Sequence, residues 1–540
     1  MSDSASTARV LVSHLVACGV RTFVLCPGSR SAPLAYALYD AERAGAVRLH
    51  IETDERVAGF AALGSGSVGE LAAVVTTSGS AVANLHPAVE EAFYGGVPMI
   101  VVSCDRPEHM RGVRASQTTD HRAVLAGSVR HFRELPAGAP PKNLGGLVQR
   151  AVRAARGAGN GTVPGPVHLN VGFVEPLMPD QPWKTVDADI AQAQRGMERG
   201  SGERCVVVAG TTRNRKLDPA LFAGIPILAE PSAALRAHPN AINAHPILLG
   251  TDLRAQITRA IVIGHPTLTR EISGLLADPA VDVVVLDDAP TYADVAGNAR
   301  IVNLAGLAGE CEPNDAWLNT WRIASVAADN WLMKHCAGLD FCSIARDVST
   351  LSGHTELVLG ASTIIRDVNL YAPVPARPVH ANRGLAGIDG TMSTGIGIGI
   401  ATGRPVRVVL GDLTFIHDLG ALVRTASQAH VDLDVVILDD SGGSLFATLE
   451  YGAGDRDAYD RVFRTAKEID VRAYAAAVGA DYAPVSEREE LRTALEQTPR
   501  GTRIIHVKLG GCEMQADRAR RGALRDSIRD HVHLGLNSIQ

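Results

Sequence analysis

The 540-residue sequence predicts an α/β protein of mostly parallel sheets flanked by helices, and three observations carry that prediction. Short runs of Val, Leu and Ile alternate along the chain with stretches of helical period. Glycine is abundant at 53 residues and aromatics are scarce at 4%, a mixture that suits tight strand–helix turns. Two apolar runs, Val406–Leu410 and Val435–Leu438, look buried along their length, yet both end in acid, at Asp412 and at Asp439–Asp440.

The elements follow in order. Ala8, Leu11, Leu15 and Cys18 make one helical face, and TFVLC (22–26) is a strand stopped by Pro27–Gly28. RLHIE (48–52) is a strand, followed by a helix from Glu55 capped by Thr53 or Asp54. AAVVT (72–76), a helix from about Ser80 to Tyr94, and PMIVVS (98–103) complete a βαβ unit, and GPVHLNV (165–171) closes the sheet. Residues 178–204 are polar and predict a linker. CVVVAG, IPILAE, AIVIGH and VDVVVLDD give four strands of a middle domain, a helical stretch follows, and ELVLGAS (356–362) opens a third domain. The expected domains are 1–180, 200–335 and 345–540. The first and last look alike and suggest duplication, although the sequence shows no repeat.

Composition excludes several classes. A net charge of −6 provides no basic field for nucleic acid or an anionic membrane. No apolar run is long enough to span a bilayer, and MSDSASTARV lacks the regions of a signal peptide. The eight cysteines are scattered with no CxxC, so reduced, buried thiols in a cytoplasmic protein are expected.

In doubly wound sheets, ligands bind beyond the carboxyl ends of the strands. Asp412 and Asp440 would sit there, ~5 Å apart if their strands are neighbours. Two carboxylates that close call for a cation between them, and magnesium takes such oxygen ligands. Gly442 and Gly443 let the backbone approach a bound group without side-chain obstruction. Arg30, Arg106, Arg366 and Arg383 each stand just past an apparent strand end, and a guanidinium matches a carboxylate bidentately. Glu55 begins a helix, where the dipole alone would favour a carboxylate. GSGSVG (64–69) and GIGIGI (395–400) match nucleotide-loop patterns, but the first follows a helix and the second lies in a small-residue helix, so neither has the context of a dinucleotide fingerprint.

The segment GDLTF…DDSGG resembles the GDG-x-NN motif of thiamine-diphosphate enzymes. CPGSRSAPL, ETDERVAGFAALG, TTSGSAVANLHPAV, SCDRP, ANRGLAGIDGTMSTGIG, GDLTFIHDLGAL and GGSLF narrow this, and together resemble the 2-succinyl-5-enolpyruvyl-6-hydroxy-3-cyclohexene-1-carboxylate synthase family of menaquinone biosynthesis. The resemblance implies a pyrimidine-binding domain, a middle domain and a diphosphate-binding domain. It also implies a homodimer with thiamine diphosphate between chains, tetramers being the open alternative. Asp412, Asp440 and the Gly442 carbonyl would ligate Mg2+ or Mn2+, with Gly411, Leu413, Ser441 and Gly443 along the diphosphate. Glu55 would hydrogen-bond the aminopyrimidine and drive its imino tautomer, and Ile388 would wedge the cofactor into its bent form.

The resemblance further implies a transferase that decarboxylates 2-oxoglutarate and adds the four-carbon fragment to isochorismate. Ser362, Arg366 and Arg383 would face 2-oxoglutarate. Ser29, Arg30, Arg106 and Gln117 would face isochorismate, with Leu445 and Phe446 as an apolar wall. Asp439 and Ser441 stand where the family often has Asn, and Ser80 where it often has Thr. The rival readings are another thiamine-diphosphate carboligase of acetolactate-synthase type, a non-catalytic descendant of the fold, and a nicotinamide dehydrogenase.

Overall fold

The structure is a computed structural model. It describes all residues except 1–3, 140–143, 158–162, 180, 185–203, 213–216, 287–298, 303, 308–309, 311, 376–377, 426, 510–513 and 538–540. Most of the expected linker lies outside the described residues.

Among the described residues three sheets are present, and every strand pair within them is parallel. The first contains β1 (Thr22–Leu25), β2 (Arg48–Ile51), β3 (Ala72–Thr76), β4 (Met99–Asp105), β5 (His131–Leu135) and β6 (Pro166–Gly172), in the order β2-β1-β3-β4-β6-β5. The second contains β7 (Cys205–Ala209), β8 (Ile227–Ala229), β9 (Arg259–Ile263), β10 (Asp282–Leu286) and β11 (Arg300–Val302), in the order β11-β10-β9-β7-β8. The third contains β12 (Glu356–Leu359), β13 (Val379–His380), β14 (Val406–Gly411), β15 (Leu433–Asp439), β16 (Asp481–Val485) and β17 (Thr502–Lys508), in the order β13-β12-β14-β15-β17-β16. Numbered within itself, the third sheet repeats the strand order of the first. The likeness that no sequence repeat reveals is therefore present in the topology.

Apolar strand runs arise because both faces of these sheets are covered. In the first sheet, Val24, Val74 and Val101 belong to one core, while Phe23, Leu25, Val75 and Val102 belong to another. Period-2 alternation thus separates two buried faces rather than an inside from an outside. Charge is also buried in the third sheet: Arg407 (β14) and Arg503 (β17) both pair with Asp434 between them on β15, at 2.9 and 2.8 Å.

The chain divides into two compact units. One comprises residues 1–194, 384–404 and 418–431; the other comprises residues 195–383, 405–417 and 432–540. The first unit holds the first sheet, and the second unit holds the other two.

The glycines of both nucleotide-loop patterns have another use. GSGSVG begins inside the Glu55–Ser67 helix, and GIGIGI lies inside the Thr391–Thr402 helix. A Cβ on Gly64 would meet the Thr394 carbonyl oxygen at 2.0 Å, and one on Gly397 would meet that of Ala61 at 1.9 Å. These glycines allow the two helices to touch backbone to backbone. Asp54, not Thr53, caps the first of them, accepting from the backbone N–H groups of Arg56 and Val57. The helix expected over 80–94 is broken into Ser80–Asn84 and His86–Gly95, with Pro87 entering at the restart.

The cysteine expectation needs correction. Cys18, Cys26 and Cys104 are buried free thiols, but Cys336 and Cys342 form a disulfide, and Cys205 is disulfide-bonded too. Cys336 caps the Asp315–His335 helix, and Cys342 lies in the first turn of the Phe341–Leu351 helix. The short turn between those helices brings the two Cα atoms to 5.7 Å.

Candidate active site

The strand pairing expected for the two acids is present, since β14 and β15 are neighbours with Gly411 opposite Leu438. That register puts Asp412 level with Asp439, and Asp440 one residue beyond. Asp439 is turned to the next strand, where His506 Nε2 lies 2.8 Å from its carboxylate. This contact holds its pKa below the ordinary carboxylate value. Asp412 is 7% exposed and makes no ion pair among the described residues. Burial pushes its pKa up to about 6, against hydrogen bonds from Leu413 N–H and Gly442 N–H, and the charge of Asp439 adds to the push.

The loop after β15 is shaped for close approach. Ser441 and Gly442 have φ of 62° and 125°. A Cβ on Gly442 would lie 2.4 Å from the Arg464 carbonyl oxygen, and one on Gly443 would lie 2.7 Å from that of Phe463. The Gly442 carbonyl accepts from Ser444 N–H at 2.9 Å and retains a second lone pair. Leu445 and Phe446 follow in a 3-10 turn, where Phe446 packs on Phe463 at a centroid distance of 5.7 Å. A buried carboxylate without a cation, beside a second acid and a carbonyl, is a hard-oxygen donor set that suits Mg2+ or Mn2+. No cluster of three or more His, Cys, Asp or Glu exists among the described residues, so any ion here would need backbone or ligand oxygens as well.

The four arginines lie in two pairs within which the charges act on one another, Arg366 with Arg383 and Arg30 with Arg106. In the second unit, Arg383 is 2% exposed, and burial lowers the pKa of Arg366, with the like charge of Arg383 adding to the effect. Arg366 donates to the Ala361 and Ser362 carbonyls at 2.9 and 2.7 Å, across the turn between β12 and the Thr363–Tyr371 helix. Arg383 donates through Nε and Nη2 to Thr267 Oγ1, at 3.1 and 2.6 Å. In the first unit, burial and the charge of Arg106 lower the pKa of Arg30. Arg30 donates to the Phe173 carbonyl at 2.9 Å, and Arg106 donates to the Ser78 hydroxyl and the Gln117 carbonyl. Gln117 sits at φ 55° and returns a hydrogen bond to the Ser78 carbonyl at 3.2 Å. Ser29 is exposed on the turn before Arg30.

Glu55 opens its helix with the carboxylate held by Asn84 Nδ2 at 3.0 Å. Ile388 is in the same unit, in a turn fixed at its start by Glu91, which accepts from Gly384 and Leu385 N–H at 2.6 and 2.7 Å. A Cβ on Gly390, at the other end, would strike the Phe60 ring at 2.0 Å. Asn84, Ser78 and Thr267 are polar supports that sequence reasoning passed over. Thr267 carried one signal, since it follows β9 as the arginines follow their strands.

Comparison with known proteins bears on the whole arrangement. A family model described as the N-terminal TPP binding domain of thiamine pyrophosphate enzymes matches residues 5–124, and the corresponding C-terminal TPP binding domain matches 366–507. A 2-succinyl-5-enolpyruvyl-6-hydroxy-3-cyclohexene-1-carboxylate synthase of Kineococcus radiotolerans is 43% identical, over 94% of this chain and 96% of its own. The synthase of the same name from Paenarthrobacter aurescens is 40% identical over 99% of this chain and 98% of its own, and that from Nocardioides sp. is 40% identical over 94% and 95%. With both cofactor domains matched and identity sustained across nearly the whole length, the chain belongs to the 2-succinyl-5-enolpyruvyl-6-hydroxy-3-cyclohexene-1-carboxylate synthase family of thiamine-diphosphate enzymes.

Proposed function

We propose that this chain decarboxylates 2-oxoglutarate and adds the resulting four-carbon unit to isochorismate, releasing carbon dioxide, in menaquinone biosynthesis. The observation that carries the substrate assignment is the sorting of four arginines into two pairs. Arg366 and Arg383 both donate to the Ala361 carbonyl in one unit, at 2.9 and 3.5 Å, and in the other the charge of Arg106 acts on Arg30. Each pair concentrates positive charge in an acidic protein, and both substrates are dicarboxylates. Relatives matched over 96% and 98% of their own length carry this synthase's name, which favours it over an acetolactate-type carboligase.

Thiamine diphosphate, when bound, would supply an electron sink for decarboxylation of the 2-oxoacid. The chain's own residues position and charge the reactants. Glu55, fixed by Asn84, holds a carboxylate for hydrogen bonding and proton transfer to the pyrimidine ring. Ile388 would provide an apolar support for the cofactor. Asp412, Asp440 and the Gly442 carbonyl would hold Mg2+ or Mn2+, and Gly411, Leu413, Ser441 and Gly443 would hold the diphosphate. Arg366 and Arg383, with Ser362, orient 2-oxoglutarate. Arg30 and Arg106, with Ser29 and Gln117, orient isochorismate against Leu445 and Phe446.

In this reading residues 1–180 bind the pyrimidine, 345–540 bind the diphosphate and 200–335 form the middle domain. The active enzyme is a cytoplasmic homodimer whose sites combine Glu55 of one chain with Asp412 and Asp440 of the other. No helix among the described residues is long and apolar enough to cross a membrane. The test is isochorismate consumption, followed by absorbance, with each component omitted in turn. Consumption should require 2-oxoglutarate, thiamine diphosphate and a divalent cation; consumption without 2-oxoglutarate would refute the assignment.

A further inference from the structure

Glu230 is a carboxylate that none of the chemistry above uses. It directly follows β8 in the second sheet and is 1% exposed. One oxygen accepts two backbone hydrogen bonds, from Thr267 N–H at 2.6 Å and Leu268 N–H at 2.7 Å. Its other oxygen is buried without a hydrogen-bond partner. A buried carboxylate is costly unless something repays its desolvation. Two N–H groups and the charges of Arg383 and Arg366 offset part of that cost, yet burial still pushes its pKa up to about 7.

The turn that Glu230 clamps has two tasks. Leu268, 7% exposed, packs into the core of the third sheet with Ile364, Ile365 and Ala381. Thr267, one residue earlier, presents its hydroxyl to both Nε and Nη2 of Arg383. The contacts therefore run from Glu230 to the backbone of Thr267 and Leu268, and from the Thr267 side chain to a fully buried guanidinium.

We propose that Glu230 and Thr267 are positioning residues for the 2-oxoacid: Glu230 fixes the Thr267–Leu268 turn so that the Thr267 hydroxyl holds the Arg383 guanidinium in its carboxylate-binding orientation. The middle sheet thereby becomes part of the substrate site. The inference rests on the assignment of Arg383 to 2-oxoglutarate. A guanidinium held through both Nε and Nη2 has its plane fixed before substrate arrives, whereas a loose one must be ordered at each binding event.

The test is steady-state kinetics of three variants with cofactor and metal saturating, alongside Arg383→Ala. Thr267→Val keeps the shape and removes the hydroxyl. It should raise the KM for 2-oxoglutarate by about tenfold, equivalent to roughly 1.4 kcal/mol. Turnover and the KM for isochorismate should stay within about twofold. Glu230→Ala should shift the same constant in the same direction. Glu230→Gln, whose amide oxygen can accept both N–H groups, should stay near wild type. Unchanged 2-oxoglutarate KM in Thr267→Val, or equal damage to both substrates, overturns the proposal, as does a Glu230→Gln variant as impaired as Glu230→Ala. If Glu230→Ala does not fold, judged by its thermal transition, Thr267→Val and Glu230→Gln decide alone. The underlying reading fails separately: Arg383→Ala with a normal 2-oxoglutarate KM removes Arg383 from that site, whereas a raised KM in Arg383→Ala beside a normal one in Thr267→Val sinks only the relay.

Discussion

Arg383→Ala and Arg106→Ala should damage different substrates. Arg383 is 2% exposed, and among its contacts are the Thr267 hydroxyl and the opposing charge of Arg366. A carboxylate bound there loses water and gains charge-assisted hydrogen bonds. Truncating one partner of such a desolvated pair costs about 2–5 kcal/mol. At about 1.4 kcal/mol per factor of ten, that is roughly 30-fold to several thousand-fold in kcat/KM for 2-oxoglutarate. Arg106 is half-buried and is already engaged by Ser78 and Gln117, so its loss should fall nearer the lower end. Its penalty should appear in kcat/KM for isochorismate. The assay varies each substrate in turn with the other saturating, for wild type and both variants. Crossed selectivity is expected, with each variant impaired mainly toward one substrate. Equal impairment of both variants toward both substrates would refute the two-pair reasoning.

Other consequences follow from buried charge and from the cofactor assignment. Glu55→Gln should retain thiamine diphosphate, measured by equilibrium dialysis, and lose most turnover, because an amide fills the space but cannot carry the proton; near-normal turnover would remove Glu55 from the chemistry. Asp434→Ala leaves Arg407, which is 0% exposed, facing Arg503 without their shared acid. Stability by urea titration should fall by about 3–5 kcal/mol, and a loss below ~1 kcal/mol would show that the ion pair is unimportant. Asp418 accepts from both the N–H and the hydroxyl of Ser393, yet burial pushes its pKa from 3.8 to about 6. The folded state therefore holds a proton that the unfolded chain releases earlier, so this group's contribution to stability is largest below pH ~4 and declines as pH rises to ~6, by about 3 kcal/mol in all. Asp418→Asn should lack this decline when urea midpoints are compared from pH 4.5 to pH 7, and parallel curves for variant and wild type would contradict it.

The layers of this protein were legible because central strands are buried on both faces and read as continuous apolar runs. Val406–Leu410 and Val435–Leu438 show it best, and their acids fell where the register puts strand ends. Four strands were missed, β5, β11, β16 and β17; the first three are edge strands, and in the interior β17 (TRIIHVK) Arg503 and His506 interrupt the apolar run. HFREL is mostly half-covered and carries charge, and RIV is only three residues long, so neither leaves an apolar signature. Local rules also could not foresee the Cys336–Cys342 disulfide, because the pairing depends on two helix ends meeting at a turn. At the site, residues just after strands were readable from position. Ser78, Asn84, Glu230 and Thr267 were not, because their roles lie in contacts between segments 28 to 116 residues apart.

The central claim is one carboligation drawing on two dicarboxylates, and it is tested most directly by product stoichiometry. The purified protein, with thiamine diphosphate and Mg2+, is given 2-oxoglutarate labelled at its carboxylate adjoining the ketone, with and without isochorismate. Labelled carbon dioxide and the mass of the organic product are measured together. With both substrates, one carbon dioxide should be released per isochorismate consumed, and the product mass should equal the sum of the two substrates less carbon dioxide. Decarboxylation at the same rate without isochorismate, yielding only a four-carbon aldehyde, or no labelled carbon dioxide while isochorismate disappears, would contradict the account.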